Sequence, residues 1–188
     1  MKRQAVLALL RVHVARALDA NEAAMAARII RFVEERDDCF ERSCLPAHLT
    51  GSAWVVDAAR TRVVLTHHRK LDRWLQLGGH ADGDADLLAV ARREAEEEAG
   101  LSGLPLLGEG LFDVDCHLIP ARGPVPDHWH FDLRFAFEAD PAVPLRISDE
   151  SHDLAWVGLG EVARLTPSES MARMVRKTLV GNPWISTA

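Results

Sequence analysis

The chain has 188 residues and a formal net charge of −6, from 22 basic and 28 acidic residues. Its composition is 48% hydrophobic and 27% charged, which favours a globular protein with a real core and argues against disorder. The acidic balance lacks the basic footprint of proteins that bind nucleic-acid polymers or anionic membranes. The apolar run Ala5 to Leu10 is far below the roughly 18 residues of a membrane span, and it fails as a signal peptide. Three cysteines without a CxxC spacing favour a reducing, cytoplasmic location over a disulfide framework.

Two helices are predicted within residues 4–36, where apolar residues recur at helical spacing and Gly and Pro are missing. Asn21 is the expected N-cap of the second helix. Because this composition differs from the strand-rich remainder, we expect residues 1–45 to be a helical extension and residues 46–188 to form the main domain. Formation of a homodimer, capping of the site and completion of the core are three open roles for the extension.

The remainder of the chain mixes short strands with helices. Strands are expected near 52–57, 61–66, 74–77, 111–119, 129–138 and 154–157, and helices near 86–99, 160–165 and 169–180. Gly100 is expected to end the first of these helices, because glycine adopts the left-handed conformation at little cost. This order predicts an α/β fold, namely an α/β/α sandwich around a mixed sheet with the N-terminal helical extension attached.

Three acidic residues, Glu94, Glu97 and Glu98, share one face of the helix near 86–99 because they are three and four positions apart. Carboxylates about 5 to 6 Å apart repel by about 3 kcal/mol per pair at an effective dielectric near 20. A partly buried cluster of this kind therefore requires a cation, and oxygen ligands favour Mg²⁺ or Mn²⁺ over zinc. Taken alone, such a charge run is usually a solvated helix face.

The stretch from Gly79 to Leu101 resembles the sequence box of the Nudix hydrolases. That box reads Gly, five residues, Glu, seven residues, Arg-Glu, an apolar residue, any residue, Glu-Glu, any residue, Gly and an apolar residue. Every spacing is kept, and the matching residues are Gly79, Arg93, Glu94, Ala95, Glu97, Glu98, Gly100 and Leu101. Two positions depart from the pattern, since Ala85 replaces the first Glu and Leu77 replaces a common Pro.

The resemblance implies a hydrolase that cuts a diphosphate linkage in a nucleoside diphosphate joined to another group, with Mg²⁺ or Mn²⁺ as cofactor. It implies that Glu94, Glu97 and Glu98 hold the metal and that the Gly79 carbonyl is a further ligand. One glutamate is then a candidate general base, and the sequence does not say which. The expected partner is a small-molecule diphosphate.

Arg93 completes the expected catalytic set, and the resemblance implies that it orients a carboxylate. In the family the residue replaced by Ala85 is mainly a structural partner of this arginine. Asp84 and Asp86 are candidate substitutes, although neither has the reach of a glutamate.

Two rival functions remain open from the sequence. Ala85 favours a ligand-binding or sensor module that kept the fold and lost most catalysis. Isomerisation of an allylic diphosphate on the same scaffold is the second rival, and it would need a Cys or Glu opposite the box. Cys116 is expected on the apolar side of its strand, which argues against that reaction.

The two strands near 111–138 have one apolar face and one face rich in His and Asp. A solvated sheet face explains this pattern, and so does a substrate-facing wall beside the box helix, in which His128, His130 and Asp132 bind substrate. His80, after the double glycine, is a further candidate for contact with phosphate, with a role in the turn as the alternative. A third interpretation is zinc binding by the His-x-His-x-Asp strand, which requires a further converging ligand. Glu150 is a weak candidate to assist metal or water, with a surface-loop acid as the alternative.

Overall fold

The structure is a computed structural model that describes residues 2–17, 19–149 and 151–180. Its helices are α1 (Lys2–Arg16), α2 (Ala20–Glu35), α3 (Leu87–Ala99), α4 (Val162–Leu165) and α5 (Glu169–Leu179). Its strands are β1 (Ala47–Val56), β2 (Arg62–His68), β3 (Arg73–Leu75), β4 (Leu77–His80), β5 (Asp113–Ile119), β6 (His128–Glu138) and β7 (Ser151–Gly158). The helices and the other strands expected from the sequence are present with ends shifted by a few residues, but the single strand expected near 74–77 is divided into β3 and β4, which pair with β2 and β1 respectively.

Strand β1 organises a mixed sheet of order β3-β2-β1-β6-β5. It pairs in parallel with β6 along its whole length, from Ala47 opposite Trp129 to Val56 opposite Glu138. Its other edge is shared by β4, which pairs with residues 50–53, and by β2, which pairs at Val56. Strand β7 pairs with β2, and β5 with β6, both antiparallel.

Alternating residues of the sheet face two separate cores, because side chains alternate along a strand. One core contains Leu49 and Phe131 and is covered by α1, α2 and α3. The other contains Trp54 and Phe112 and is covered by α4 and α5, with Met174 buried between them. The predicted α/β/α sandwich around a mixed sheet is therefore confirmed.

The N-terminal helices pack into the first core and so complete it, which is one of the three roles left open by the sequence. Phe32 of α2 meets Phe131 of β6 edge-on at a centroid distance of 5.0 Å. The predicted N-cap at Asn21 is wrong, because α2 begins earlier and Asp19 accepts a 2.7 Å hydrogen bond from the Glu22 amide. The division of the chain at residue 45 and the homodimer stay predictions.

Helix α3 is capped at both ends, and of the two caps the one at Gly100 was predicted from the sequence. Asp86 accepts a hydrogen bond from the Ala89 amide at 3.0 Å, and Gly100 ends the helix with a left-handed φ of 69°. Its apolar stripe is buried against β1 and β4. Within the described ranges, no helix has the length and apolar character needed to cross a bilayer.

Candidate active site

Two glycines let α3 lie directly on the sheet. A Cβ atom on Gly51 would be 2.8 Å from the Leu87 carbonyl oxygen, and one on Gly79 would be 2.5 Å from the Glu94 carboxylate. Gly51 and Gly79 are register partners between β1 and β4, so both close approaches occur at the same place. The missing side chains therefore bring the end of β4 within reach of the acidic face of α3.

The three glutamates on the acidic face of α3 differ in their exposure to solvent. Glu98 is only 6% exposed, and its Oε2 accepts a 3.1 Å hydrogen bond from the Gly78 amide. The Glu94 side chain is 17% exposed and lies against Gly79, whereas the Glu97 side chain is 63% exposed. The structure thus brings Glu94 and Glu98 to the double glycine and leaves Glu97 facing outwards on the same helix.

Arg93 lies among these carboxylates at ion-pair distances. Its guanidinium nitrogens are 3.6 Å from Glu94, 3.9 Å from Glu97 and 3.8 Å from Asp84. These separations exceed ordinary hydrogen-bond lengths, so the contacts are electrostatic and loose. Of the two substitutes suggested for the missing glutamate, Asp84 contacts Arg93, while the Asp86 carboxylate caps α3.

The histidines singled out from the sequence lie on the opposite face of the sheet from α3. His80 follows Gly79 in β4 and, by register, shares a face with Thr50, while His130 lies opposite His48 in the parallel β1–β6 pair. The His48 ring lies about 5 Å from the rings of His80, His128 and His130. The structure therefore joins His80, His128 and His130 into one cluster that also contains His48.

His48 was missed by the sequence reasoning because the strand was expected to start only at residue 52. The signal that could have found it is the alternation of polar residues at 48, 50 and 52, which places His48 on one face with Thr50 and Ser52.

Three of the clustered imidazoles, His48, His80 and His130, have lowered pKa values that favour the neutral form. Burial, followed by the neighbouring His117, lowers the pKa of His130 to about 2. Burial, followed by the charge of Arg42, lowers the pKa of His80 to about 4, and burial also lowers the pKa of His48. Neutral imidazole is the form that ligates metals and accepts hydrogen bonds.

The carboxylate of Asp132, which was expected to bind substrate, is instead engaged by hydrogen bonds within the protein. It is 1% exposed, and its carboxylate accepts hydrogen bonds from Thr50 at 2.8 Å, Ser52 at 2.7 Å and Arg134 at 2.7 Å. Thr50 and Ser52 of the neighbouring strand β1 and Arg134 of the same strand β6 thus occupy the carboxylate.

The polar face of β5 and β6 is buried beneath α5, so the expectation of a solvated face is wrong for this part of the sheet. Asp113 is fully buried and accepts bonds from Arg134 at 3.1 Å, Arg173 at 2.8 Å and Lys177 at 2.8 Å. Burial acts to raise the pKa of Asp113, but the Arg173 bonds and the Lys177 charge outweigh it and hold that pKa well below its ordinary value. Lys177 also contacts the buried Glu22 of α2.

No pattern in the sequence pointed to Arg173, Lys177 and Glu22 as a group. Glu22 of α2 and Lys177 of α5 are 155 positions apart, and each of the three residues looks locally like an exposed charge. Glu150, a weak metal candidate, lies outside the described residues.

A model of the NUDIX domain matches residues 47–178. The chain belongs to the Nudix family. Salmonella typhi YfcD, a Nudix hydrolase, is 34% identical over 99 residues, which are 51% of this chain and 42% of that protein. The asymmetrical bis(5'-nucleosyl)-tetraphosphatase of Rattus norvegicus is 26% identical over 102 residues, which are 54% of this chain and 66% of that protein. The matched part thus spans less than half of the length of YfcD.

The fold of this chain is also similar to that of solved structures. The crystal structure of the MutT protein from Methanosarcina mazei Go1 superposes with a TM-score of 0.57, at 14% identity, over 71% of this chain and 93% of that one. At this identity the likeness concerns the fold alone. In this chain the residues of the Nudix box lie in β4 and α3 and form the contact between them that is described above.

Proposed function

We propose that this Nudix protein is a pyrophosphohydrolase that uses Mg²⁺ or Mn²⁺ to cut the diphosphate linkage of a nucleoside-diphosphate-type substrate. The observation that carries the proposal is the placement of Glu94 and Glu98 against Gly78 and Gly79, with Glu97 open to solvent on the same helix face. The name of the rat relative, a nucleosyl tetraphosphatase, supports the class of substrate.

The donor set fits a hard divalent cation. The side chains of Glu94, Glu97 and Glu98 and the carbonyl of Gly79 would hold it, and all of these donors are oxygens, as Mg²⁺ and Mn²⁺ prefer. Such ions, when bound, supply neutralisation of phosphate charge and activation of water. Without a cation at this site, a polyanionic diphosphate would be repelled by the acidic helix face.

The remaining steps belong to side chains of the chain itself. One of the box glutamates takes the proton of the attacking water as general base. Arg93 positions Glu94 and Glu97 through its guanidinium, which lies 3.6 to 3.9 Å from both carboxylates. Water has a route to the site because Glu97 is exposed.

A ligand-binding module with little catalysis is the second candidate. It is favoured by Ala85, because Arg93 contacts Asp84 at only 3.8 Å where the box expects a glutamate partner. The loose contact would position the arginine less firmly. Tight binding of a nucleotide without release of phosphate would support this candidate.

The test is a screen of dinucleoside polyphosphates, nucleotide sugars, dinucleotide cofactors and nucleoside triphosphates with Mg²⁺ or Mn²⁺, in which mass spectrometry identifies the products. Glu97→Gln and Glu98→Gln should each remove most metal-dependent turnover while the fold is retained. The matched control is Glu96→Gln, because Glu96 lies between box positions on the same helix and is exposed. Near-normal rates in both box variants would overturn the assignment.

A further inference from the structure

Three histidines converge on the face of the sheet opposite the Nudix box, and we call His48, His128 and His130 the histidine trio. One ring nitrogen from each lies within 4.8 Å of the other two. His48 and His130 are brought together by the parallel register of β1 and β6, and His128 precedes His130 by two residues on the same face. His48 and His128 are almost fully buried, at 1% and 7% exposure.

The trio contains a buried polar atom without a partner. The Nε2 atom of His48 is buried and has no hydrogen-bond partner within the described part of the chain. Leaving such an atom unsatisfied costs about 1–3 kcal/mol, so buried polar atoms normally have a ligand, a water or a protein partner. The orphaned nitrogen belongs to the converging group, which points to a ligand shared by the three rings.

The tautomers explain why the rings do not satisfy each other. Nδ1 of His48 faces the Cys44 carbonyl at 3.4 Å, and Nδ1 of His128 faces the Pro126 carbonyl at 2.9 Å. A carbonyl only accepts, so both Nδ1 atoms carry the proton and both Nε2 atoms present lone pairs. Two lone pairs cannot hydrogen-bond to each other, whereas both can bind one cation. Metal-ligating histidines commonly donate their other ring N–H to a backbone carbonyl in this way.

The ligand class follows from the donors. Neutral imidazoles suit Zn²⁺, Co²⁺, Ni²⁺ and Cu²⁺ and suit Mg²⁺ poorly. In a tetrahedral zinc site with Zn–N distances of about 2.0–2.1 Å, ligand nitrogens are about 3.4 Å apart, so shifts of under about 1 Å per ring close the site. Asp132, the ligand expected in a His-x-His-x-Asp site, is not part of the trio, because Thr50, Ser52 and Arg134 hold its carboxylate.

We propose that His48, His128 and His130 bind one divalent transition-metal ion of the zinc type, at a site separate from the box glutamates. Three protein ligands leave a further coordination position for water or a small ligand, as in open zinc sites. The site and the box lie on opposite faces of the sheet, and the two donor sets differ, nitrogen in one and oxygen in the other. The chain then carries two metal sites of different selectivity.

The experiment uses the full chain without a polyhistidine tag, stripped with a chelator and titrated with Co²⁺ while visible absorption is recorded. With excess Mg²⁺ present to occupy the box, we expect one Co²⁺ per chain, displaced by Zn²⁺ and not by Mg²⁺, and one Zn²⁺ per chain retained through gel filtration by elemental analysis. His128→Gln and His130→Gln should weaken Co²⁺ binding by at least about 100-fold, the upper end of what loss of a supporting second-shell partner costs. His152→Gln, an exposed histidine outside the trio, is the matched control and should bind normally.

Two further arms make the outcome decisive. Glu98→Gln should leave Co²⁺ binding at the trio intact, so loss of the box function and loss of the trio site are separable. In the wild-type chain, Zn²⁺ should shift the imidazole ¹⁵N resonances of His48, His128 and His130, which tests the site even where a variant fails to fold. The proposal is overturned if no ion is retained, if binding survives His128→Gln and His130→Gln, if the box variant abolishes it, or if those resonances do not move.

Discussion

Replacing Gly79 by alanine should separate the function of the Nudix box from the stability of the fold. The added Cβ would lie 2.5 Å from Cδ and Oε2 of Glu94, whereas ordinary contact begins at 3.4 Å, so the carboxylate must retreat by 3.4 − 2.5 = 0.9 Å. The atoms that must move are the far end of a flexible side chain, and Gly79 does not have a positive φ. The fold can therefore accept the alanine, while the metal site loses the position of one ligand.

The size of the effect follows from that displacement. A misplacement of about 1 Å at a reacting centre costs about 100-fold in rate, which is about 2.7 kcal/mol in activation free energy. The free energy of unfolding should change by less than about 1 kcal/mol, because alanine in a strand lowers the entropy of the unfolded chain relative to glycine. Function and stability thus respond to one methyl group by different amounts.

The assay measures three quantities on Gly79→Ala: Mn²⁺ affinity from the electron paramagnetic resonance signal of free Mn²⁺, turnover of the best substrate in the screen, and unfolding by denaturant. Gly160→Ala is the matched control, since a Cβ there meets no atom within 4 Å. If Gly79→Ala binds Mn²⁺ and turns over substrate as the control does, the Glu94–Gly79 contact does not position a ligand and the reasoning is refuted.

Three further predictions concern the buried network and the box arginine. Asp113→Asn leaves the cationic groups of Arg173 and Lys177 buried without their partner, and it should lower the free energy of unfolding by about 3–5 kcal/mol in denaturant melts. The control Asp127→Asn, at an exposed position, should change that free energy little, and equal effects of the two variants would contradict the network. Burial acts to raise the pKa of Asp115, but the charge of Arg134 outweighs burial and lowers that pKa to about 2. The stability that ionised Asp115 contributes to the fold is therefore complete above its unfolded pKa near 4 and is lost as the pH falls from about 4 towards 2. Asp115→Asn should flatten that part of the plot of unfolding free energy against pH, and an unchanged plot would contradict the assignment. Ala85→Glu restores a carboxylate partner for Arg93, so it should raise the free energy of unfolding by at most about 1 kcal/mol and increase turnover. Slower turnover would contradict the view that Arg93 needs this partner.

The helical part of the box could be predicted from the sequence because its geometry is local. The spacing of Glu94, Glu97 and Glu98 fixes their common face in any helix, and Asp86 and Gly100 mark where that helix begins and ends. The family resemblance rests on the same 23-residue stretch. The proposed catalytic residues therefore needed no knowledge of the rest of the chain.

The polar face of β5 and β6 shows where such reasoning stops. Strand alternation placed Asp113, Asp132 and His130 on one face, and the paired strands have that register. Alternation does not reveal what covers the face. Helix α5, which supplies Arg173 and Lys177, covers one end of it, and the histidine trio occupies the other end.

The sequence by itself determined the box, the fold class and the face on which each strand residue lies, since these follow from periods of 3.6 and 2 residues. Tertiary structure alone decided that His48 meets His128 and His130 and that Asp113 meets Arg173. Both meetings join residues at least 60 positions apart, through the parallel pairing of β1 with β6 and the docking of α5. Contacts of that separation depend on register and packing, which no local pattern encodes.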